Sequence, residues 1–265
     1  MLTITPPDID IEQLQKTQGK LLTQLTGRKQ TISVVEQDNL RWLRLSDGSI
    51  QSAMWLEEPA YPALNYIQAM LCSLLYIEKP AHLLNLGLGS GAIERFLISQ
   101  LPDVSTVSVE LDPDMLQVAR DYFHLPPSHP VALDSAQRFL QYNNGTFDIL
   151  LCDVYAKDIN HSPLHSPDFY RDAAHRLKPK GVLAVNCLLE TEAEMVEILL
   201  KIRVYLPWII LYDAPDQQNI VLLCSKTKYP STVEINHHAK QLRESTGLDL
   251  SAICEKLIRV PVSSH

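Results

Sequence analysis

The sequence predicts an α/β fold: a doubly wound, Rossmann-like sheet with a terminal antiparallel strand, preceded by a small antiparallel β unit. Three observations carry the prediction. From Ala81 onward, short apolar runs alternate with stretches of helical spacing, the pattern of parallel strands covered on both faces. A glycine-rich turn, Gly87-Leu88-Gly89-Ser90-Gly91, follows the first of these runs directly. Residues 31–56 instead read as short strands about the turn Asp47-Gly48.

Taken in order, Ile11, Leu14, Leu21, Leu22 and Leu25 fall near helical spacing and predict a helix over 9–26. TISVVEQ, LRWLRLS and SIQSAMW are rich in β-branched and aromatic residues and predict the antiparallel unit. Pro59 and Pro62 mark a boundary, and an apolar helix is expected from Asn65 to Leu75. HLLNL is a buried strand, and Ile93, Phe96 and Leu97 belong to the helix opened by Gly91. VSVEL is the second strand; Asp112 and Pro113 then suit an N-cap and a first helical residue. VAL (131–133) leads to Asp134 and another helix, FDILLCD is a fourth strand and KGVLAVN a fifth. After a helix over 191–204, WIILYDA and NIVLLCSK should pair antiparallel, with terminal helices over 233–245 and 249–258. The expected division is 1–58 for the N-terminal helix and β unit, 59–79 for a linking helix, and 80–265 for a nucleotide-binding domain.

Composition narrows the function. An apolar fraction of 46% supports a sizeable core, and 20% charged residues is not the signature of disorder. The start lacks a basic and apolar leader, and the most apolar stretch, around 198–212, is interrupted by Lys201, Arg203 and Pro207. The expectation is a soluble, cytoplasmic protein. A net charge of −8 argues against a broad nucleic-acid surface and is compatible with a cationic acceptor. Five scattered cysteines without a C-x-x-C pair read as structural thiols. His161 and His165 are spaced like a metal pair, but Pro163 and Pro167 disfavour a regular helix there and no third ligand is evident, so no metal is expected.

The chemistry sits at successive strand ends. Gly87, Gly89, Ser90 and Gly91 allow backbone to approach a ligand, and the helix that follows offers unpaired N–H groups. With Ala92 the turn also satisfies the loose dinucleotide pattern, so a nicotinamide enzyme shares this signal. Glu110, ending the second strand, can accept hydrogen bonds from both ribose hydroxyls. Asp134 can accept from an adenine amine or cap the helix after it. Asp153 ends the fourth strand, where open α/β sheets bind ligands near their switch point. Tyr155 could wall the pocket, and Gln51 and Tyr66 come from segments that would cover the nucleotide. The stretch 157–166 reads as a gate over the acceptor.

These pieces, with FYRDAAHRLKPKGVLAVN, resemble the spermidine synthase (polyamine aminopropyltransferase) family over about residues 31–190. The resemblance implies a class I methyltransferase-like fold and a decarboxylated S-adenosylmethionine site. Glu110 would match the ribose carboxylate, Asp134 the adenine contact and Asp153 the catalytic aspartate. It also implies a small-molecule amine as acceptor and a possible homodimer.

Two positions depart from the family. Its loop usually reads G-G-G-D-G, with the aspartate on the aminopropyl amine, where this chain has Ser90. Its catalytic segment commonly reads D-x-x-D-P, where Asp153-Val154-Tyr155-Ala156-Lys157 keeps only the first acid. Loss of the loop carboxylate leans toward intact S-adenosylmethionine, whose own carboxylate the helix N-terminus could hold. Three readings follow: aminopropyl transfer, a methyltransferase unrelated to polyamines, and a non-catalytic nucleotide-binding regulator.

Overall fold

The structure, a computed structural model, describes residues 1–26, 31–154, 163–189, 191–214 and 219–262. A short helix, α1 (Ile11–Lys16), is capped by Asp10, which accepts the Gln13 N–H. Four antiparallel strands follow: β1 (Lys20–Thr26), β2 (Thr31–Gln37), β3 (Leu40–Leu45) and β4 (Ile50–Trp55). They pair in the order β1-β2-β3-β4.

The expected helix over 9–26 is therefore half helix and half strand. Gly19 turns the chain at φ +52°, and a β-carbon there would lie 2.7 Å from Val35 and 2.8 Å from Trp42. Trp42 is fully buried, so the backbone fits against the indole here but a side chain would not. Beyond the turn, Leu21 aligns with Val35 and Leu25 with Ile32 in the ladder.

α2 (Asn65–Leu71) runs into a 3₁₀ turn over Cys72–Tyr76, so the apolar helix predicted to Leu75 tightens in its last turn. The larger unit then alternates as its hydrophobic pattern requires: β5 (His82–Leu86), α3 (Ala92–Gln100), β6 (Ser105–Glu110), α4 (Pro113–Tyr122), β7 (Val131–Leu133), α5 (Ala136–Tyr142), β8 (Phe147–Cys152), α6 (Pro167–Arg176), β9 (Leu177–Leu188) and α7 (Glu192–Arg203). Asp112 caps α4 by accepting the Asp114 N–H, and Pro113 takes its first turn. The chain closes with β10 (Trp208–Asp213), β11 (Asn219–Ser225), α8 (Thr232–Thr246), α9 (Ser251–Cys254) and β12 (Ile258–Val260). The last predicted helix, 249–258, shortens to one turn because residues 258–260 join the sheet edge against β10.

The eight-stranded sheet has the order β12-β10-β11-β9-β8-β5-β6-β7. β7, β6, β5, β8 and β9 are parallel; β11 runs antiparallel to both β9 and β10. This is the class I methyltransferase-like mixed sheet, with a four-stranded antiparallel sheet before it. The chain reverses its direction of winding between β5 and β8, which opens a crevice beyond their carboxyl ends.

Apolar packing ties the two sheets together. One core joins Val35, Trp42 and Ala53 to α2 and to Leu83, Ile149 and Ala184 of the large sheet. A second core, under α5, α6 and α7, covers the opposite face of the large sheet. A third packs Ile32, Leu43 and Met54 against Met115, Val118 and Phe123 around α4. Cys72, Cys152, Cys187 and Cys224 are buried free thiols, and Cys254 is half-buried. Among the described residues, no helix is long and apolar enough to cross a membrane.

Candidate functional site

The ladder registers bring the predicted residues to one rim. Leu86, at the end of β5, aligns with Val109 on one side and Cys152 on the other. The residues one step further, Gly87, Glu110 and Asp153, therefore leave three adjacent strands at the same height. β7 extends the rim, since Glu110 aligns with Leu133 and the Asp134 N–H donates to the Glu110 carbonyl at 3.0 Å.

The glycine loop is shaped by close backbone contact. The Gly87 N–H donates to the Val109 carbonyl at 2.9 Å, and the Asp153 N–H to the Leu86 carbonyl at 2.8 Å. Gly87 has φ +92°, and a β-carbon there would lie 2.2 Å from the Asp153 carbonyl oxygen. Gly89, at φ +56°, faces open space, whereas Gly91, at φ +76°, caps α3. Leu88 anchors the loop among Leu116, Ala119 and Leu125. Behind it, the buried Arg95 guanidinium donates to the carbonyls of Pro59 (2.9 Å), Ser90 (2.7 Å) and Phe123 (3.0 Å). Burial lowers its pKa to about 10, which leaves it charged at neutral pH.

Glu110 is bound into this loop. One carboxylate oxygen accepts the N–H groups of Leu111 (2.7 Å) and Asp112 (2.8 Å), and the other accepts that of Gly89 at 3.3 Å. Burial raises its pKa above the usual glutamate value, while these three donors pull it back. Oε1 already accepts two donors, so the remaining acceptor capacity for a ligand hydroxyl lies on Oε2.

Asp153 is the second focus. Its Oδ1 accepts the Asn186 side-chain N–H at 2.7 Å, and its Oδ2 accepts the Tyr66 hydroxyl at 3.2 Å. Asn186 in turn accepts the Asn219 side-chain N–H on its Oδ1 at 2.9 Å. Burial pushes the Asp153 carboxyl above its ordinary value against the lowering effect of Asn186 and Tyr66. Tyr66 itself is driven well upward by burial and then by the Asp153 charge, so its hydroxyl stays protonated as a donor.

The other expected residues are placed differently. Asp134 accepts the Ser135 N–H at 2.8 Å and faces Arg138 at 3.5 Å, and the cap of α5 is Ser135 rather than Asp134. The Gln51 side chain donates to Ser49 at 3.3 Å, so Gln51 meets the site through its main chain, its carbonyl lying 3.4 Å from the Tyr66 hydroxyl. Ser90 is buried, and its hydroxyl bonds Ser52 of β4. His165 pairs with Glu194 at 3.3 Å. Tyr155, His161 and most of the predicted gate lie outside the described residues. Asn186, Asn219 and Ser52 are additions of the structure. Asn186 ends the apolar run KGVLAVN, and a polar residue at the end of a buried parallel strand was the signal available for it.

Comparison with known proteins bears on the fold and its relatives. A family model described as a methyltransferase domain matches residues 83–181. The polyamine aminopropyltransferase of Chromobacterium violaceum is 35% identical over 159 residues, covering 58% of this chain and 60% of that protein. A probable spermidine synthase from Corynebacterium glutamicum superposes with a TM-score of 0.69 at 16% identity, covering 86% of this chain and 94% of that one. Human methyltransferase-like protein 13, in complex with SAH, superposes with a TM-score of 0.63 at 21% identity over 69% and 92% of the two chains. Fold and loop together define a protein of the methyltransferase-fold superfamily. Within it, the chain is similar to the polyamine aminopropyltransferases, and it spans 60% of the length of the Chromobacterium violaceum relative.

Proposed function

We propose that this protein transfers an alkyl group from an S-adenosyl-type nucleotide, decarboxylated or intact S-adenosylmethionine, to a small-molecule amine. The observation that carries the reading is the pairing of two carboxylates across the switch point. Glu110 is bound into the glycine loop with free acceptor capacity, and Asp153 stands one strand beyond that loop. Glu110 would hold the ribose hydroxyls and Asp134 the adenine amine, with Gly87, Gly89 and Gly91 beneath the rest of the nucleotide.

The sulfonium of the donor is already a good leaving group, so the protein's task is to orient and to place charge. Asp153 would hold the acceptor amine, take its proton as the new carbon–nitrogen bond forms, and let the thioether depart. Tyr66 and Asn186 each use one Asp153 oxygen and fix the carboxylate plane. Because burial raises the Asp153 pKa, turnover is expected to fall on acidification through a value above that of an ordinary aspartate. A pH–rate profile under saturating donor measures this limb.

One observation favours methyl transfer as a second reading. The Ser90 hydroxyl is engaged by Ser52 in the interface with the N-terminal sheet, so this loop position presents neither a carboxylate nor a free hydroxyl to an ammonium. Calorimetry with intact and decarboxylated S-adenosylmethionine, followed by product mass spectrometry over a panel of amines, tests both. Methylthioadenosine with an aminopropylated product supports the first reading and S-adenosylhomocysteine the second. Nucleotide binding with no product from any amine would favour the regulatory reading.

Glu110→Gln places an amide where three N–H donors now converge. Nucleotide affinity is expected to drop by about tenfold or more, the worth of one charge-assisted hydrogen bond. The shift in melting temperature at fixed nucleotide concentration reads this directly.

A further inference from the structure

We propose that Asn219, whose side chain donates to Asn186, is a positioning residue that sets which way the Asn186 amide faces and thereby keeps Asp153 in its ionised form. The inference rests on the transferase reading only in its consequence for turnover; the side-chain geometry stands alone.

The chain of donors has one direction. Asn219 Nδ2 donates to Asn186 Oδ1 at 2.9 Å, and Asn186 Nδ2 donates to Asp153 Oδ1 at 2.7 Å. Both asparagines are buried, at 8% and 7% exposure, so solvent is a poor substitute for either bond. The backbone holds both in place. Asn186 aligns with Val221 in the β9–β11 ladder, and Asn219, two residues earlier, accepts the Ala214 N–H at 3.0 Å.

A side-chain amide has a donor end and an acceptor end, and a half-turn exchanges them. With Asn219 occupying the oxygen of Asn186, the nitrogen is the end left for Asp153. The flipped amide would break the Asn219 bond and turn an oxygen lone pair toward a carboxylate. The relay thus favours the charged state of Asp153, opposing the burial that favours its neutral state. Among the described residues, the titratable groups shown to interact with Asp153 are Tyr66 and the Cys152 thiol, from α2 and β8. Burial drives both upward, so both stay neutral through the relevant range and neither supplies a competing switch.

Asn219→Asp tests the direction of the relay. An ionised carboxylate at 219 only accepts, so Asn186 must turn its nitrogen to it and its oxygen to Asp153. Asn219→Leu removes the donor without adding a charge and frees the amide to turn. Both variants are compared with the unaltered full-length chain after thermal melts establish that they fold. Asp153 is followed by ¹³C NMR of aspartate carboxyl-labelled protein, its signal identified by its loss in Asp153→Asn.

The expected result is a titration midpoint moved to higher pH in both variants, further in Asn219→Asp. Turnover at neutral pH should fall about tenfold in Asn219→Asp, the worth of one hydrogen bond to a charged group, with little change in the KM for donor. Raising the pH should recover part of it. A midpoint unchanged or lowered in either folded variant overturns the relay, even if turnover falls. Conversely, a raised midpoint in a protein that alkylates no amine supports the relay while defeating the transferase reading. If Asn219→Asp does not fold, the midpoint in Asn219→Leu decides alone.

Discussion

Replacing Gly87 with alanine is expected to unfold the protein or to lower its stability by about 3 kcal/mol or more, the sum of a left-handed backbone cost and a steric clash. The added carbon would lie 2.2 Å from the Asp153 carbonyl oxygen and 2.7 Å from its carbon. Neither atom belongs to a flexible side chain, so β5 or β8 must move, and both are central strands of the sheet. The internal comparison is Gly89→Ala. Its φ is also positive, but its added carbon meets no atom within 4 Å. That variant should cost only about 1 kcal/mol, the backbone term alone, and should fold. Urea unfolding of the two variants against the unaltered chain measures the difference. Equal stability for both would mean that the contact between the loop and Asp153 is looser than described.

Asp153→Asn is expected to reduce turnover by about 100-fold or more, the range associated with loss of a positioned base, and to leave or raise the melting temperature. The second half follows from linkage. Burial holds this carboxyl above its unfolded value, so its ionisation disfavours the folded state once the pH exceeds that unfolded value. At neutral pH the amide removes that unfavourable charge and can still bond Asn186 and Tyr66. Activity and stability should move in opposite directions, as they do where a site is held against its own preference. A single pair of measurements, amine alkylation rate and thermal midpoint, checks both halves. Turnover equal to that of the unaltered chain would remove Asp153 from the mechanism.

The parallel half of the fold was legible because buried parallel strands appear as unbroken apolar runs, and the rim residues were legible because each sits one step beyond such a run. HLLNL, VSVEL and FDILLCD became β5, β6 and β8, and their ends are aligned by the ladder. What the sequence concealed was set by tertiary contact. Leu21, Leu22 and Leu25 fit a helix by spacing, yet the packing of Gly19 against Trp42 turns the chain into β1. Ile258 falls at the end of the predicted terminal helix, yet it is 57% exposed and pairs in a strand with the backbone of β10. The hydrogen-bonded chain that ends on Asp153 was harder still. Tyr66, Asn186 and Asn219 come from three elements, and no spacing within the chain joins them. Asn186 closes the run KGVLAVN and Asn219 opens the run NIVLLCSK, positions where asparagine ordinarily signals a turn.

The guanidinium of Arg95 reaches the carbonyls of Pro59, Ser90 and Phe123, while Ser52 holds Ser90 from the other side. A fragment beginning near residue 80 would keep every acid assigned to the nucleotide and still lose two of the grips on its floor. Grafting this rim onto a foreign scaffold would meet the same obstacle. The smallest portable version of the site includes the antiparallel strands, which makes them part of the instrument rather than its handle.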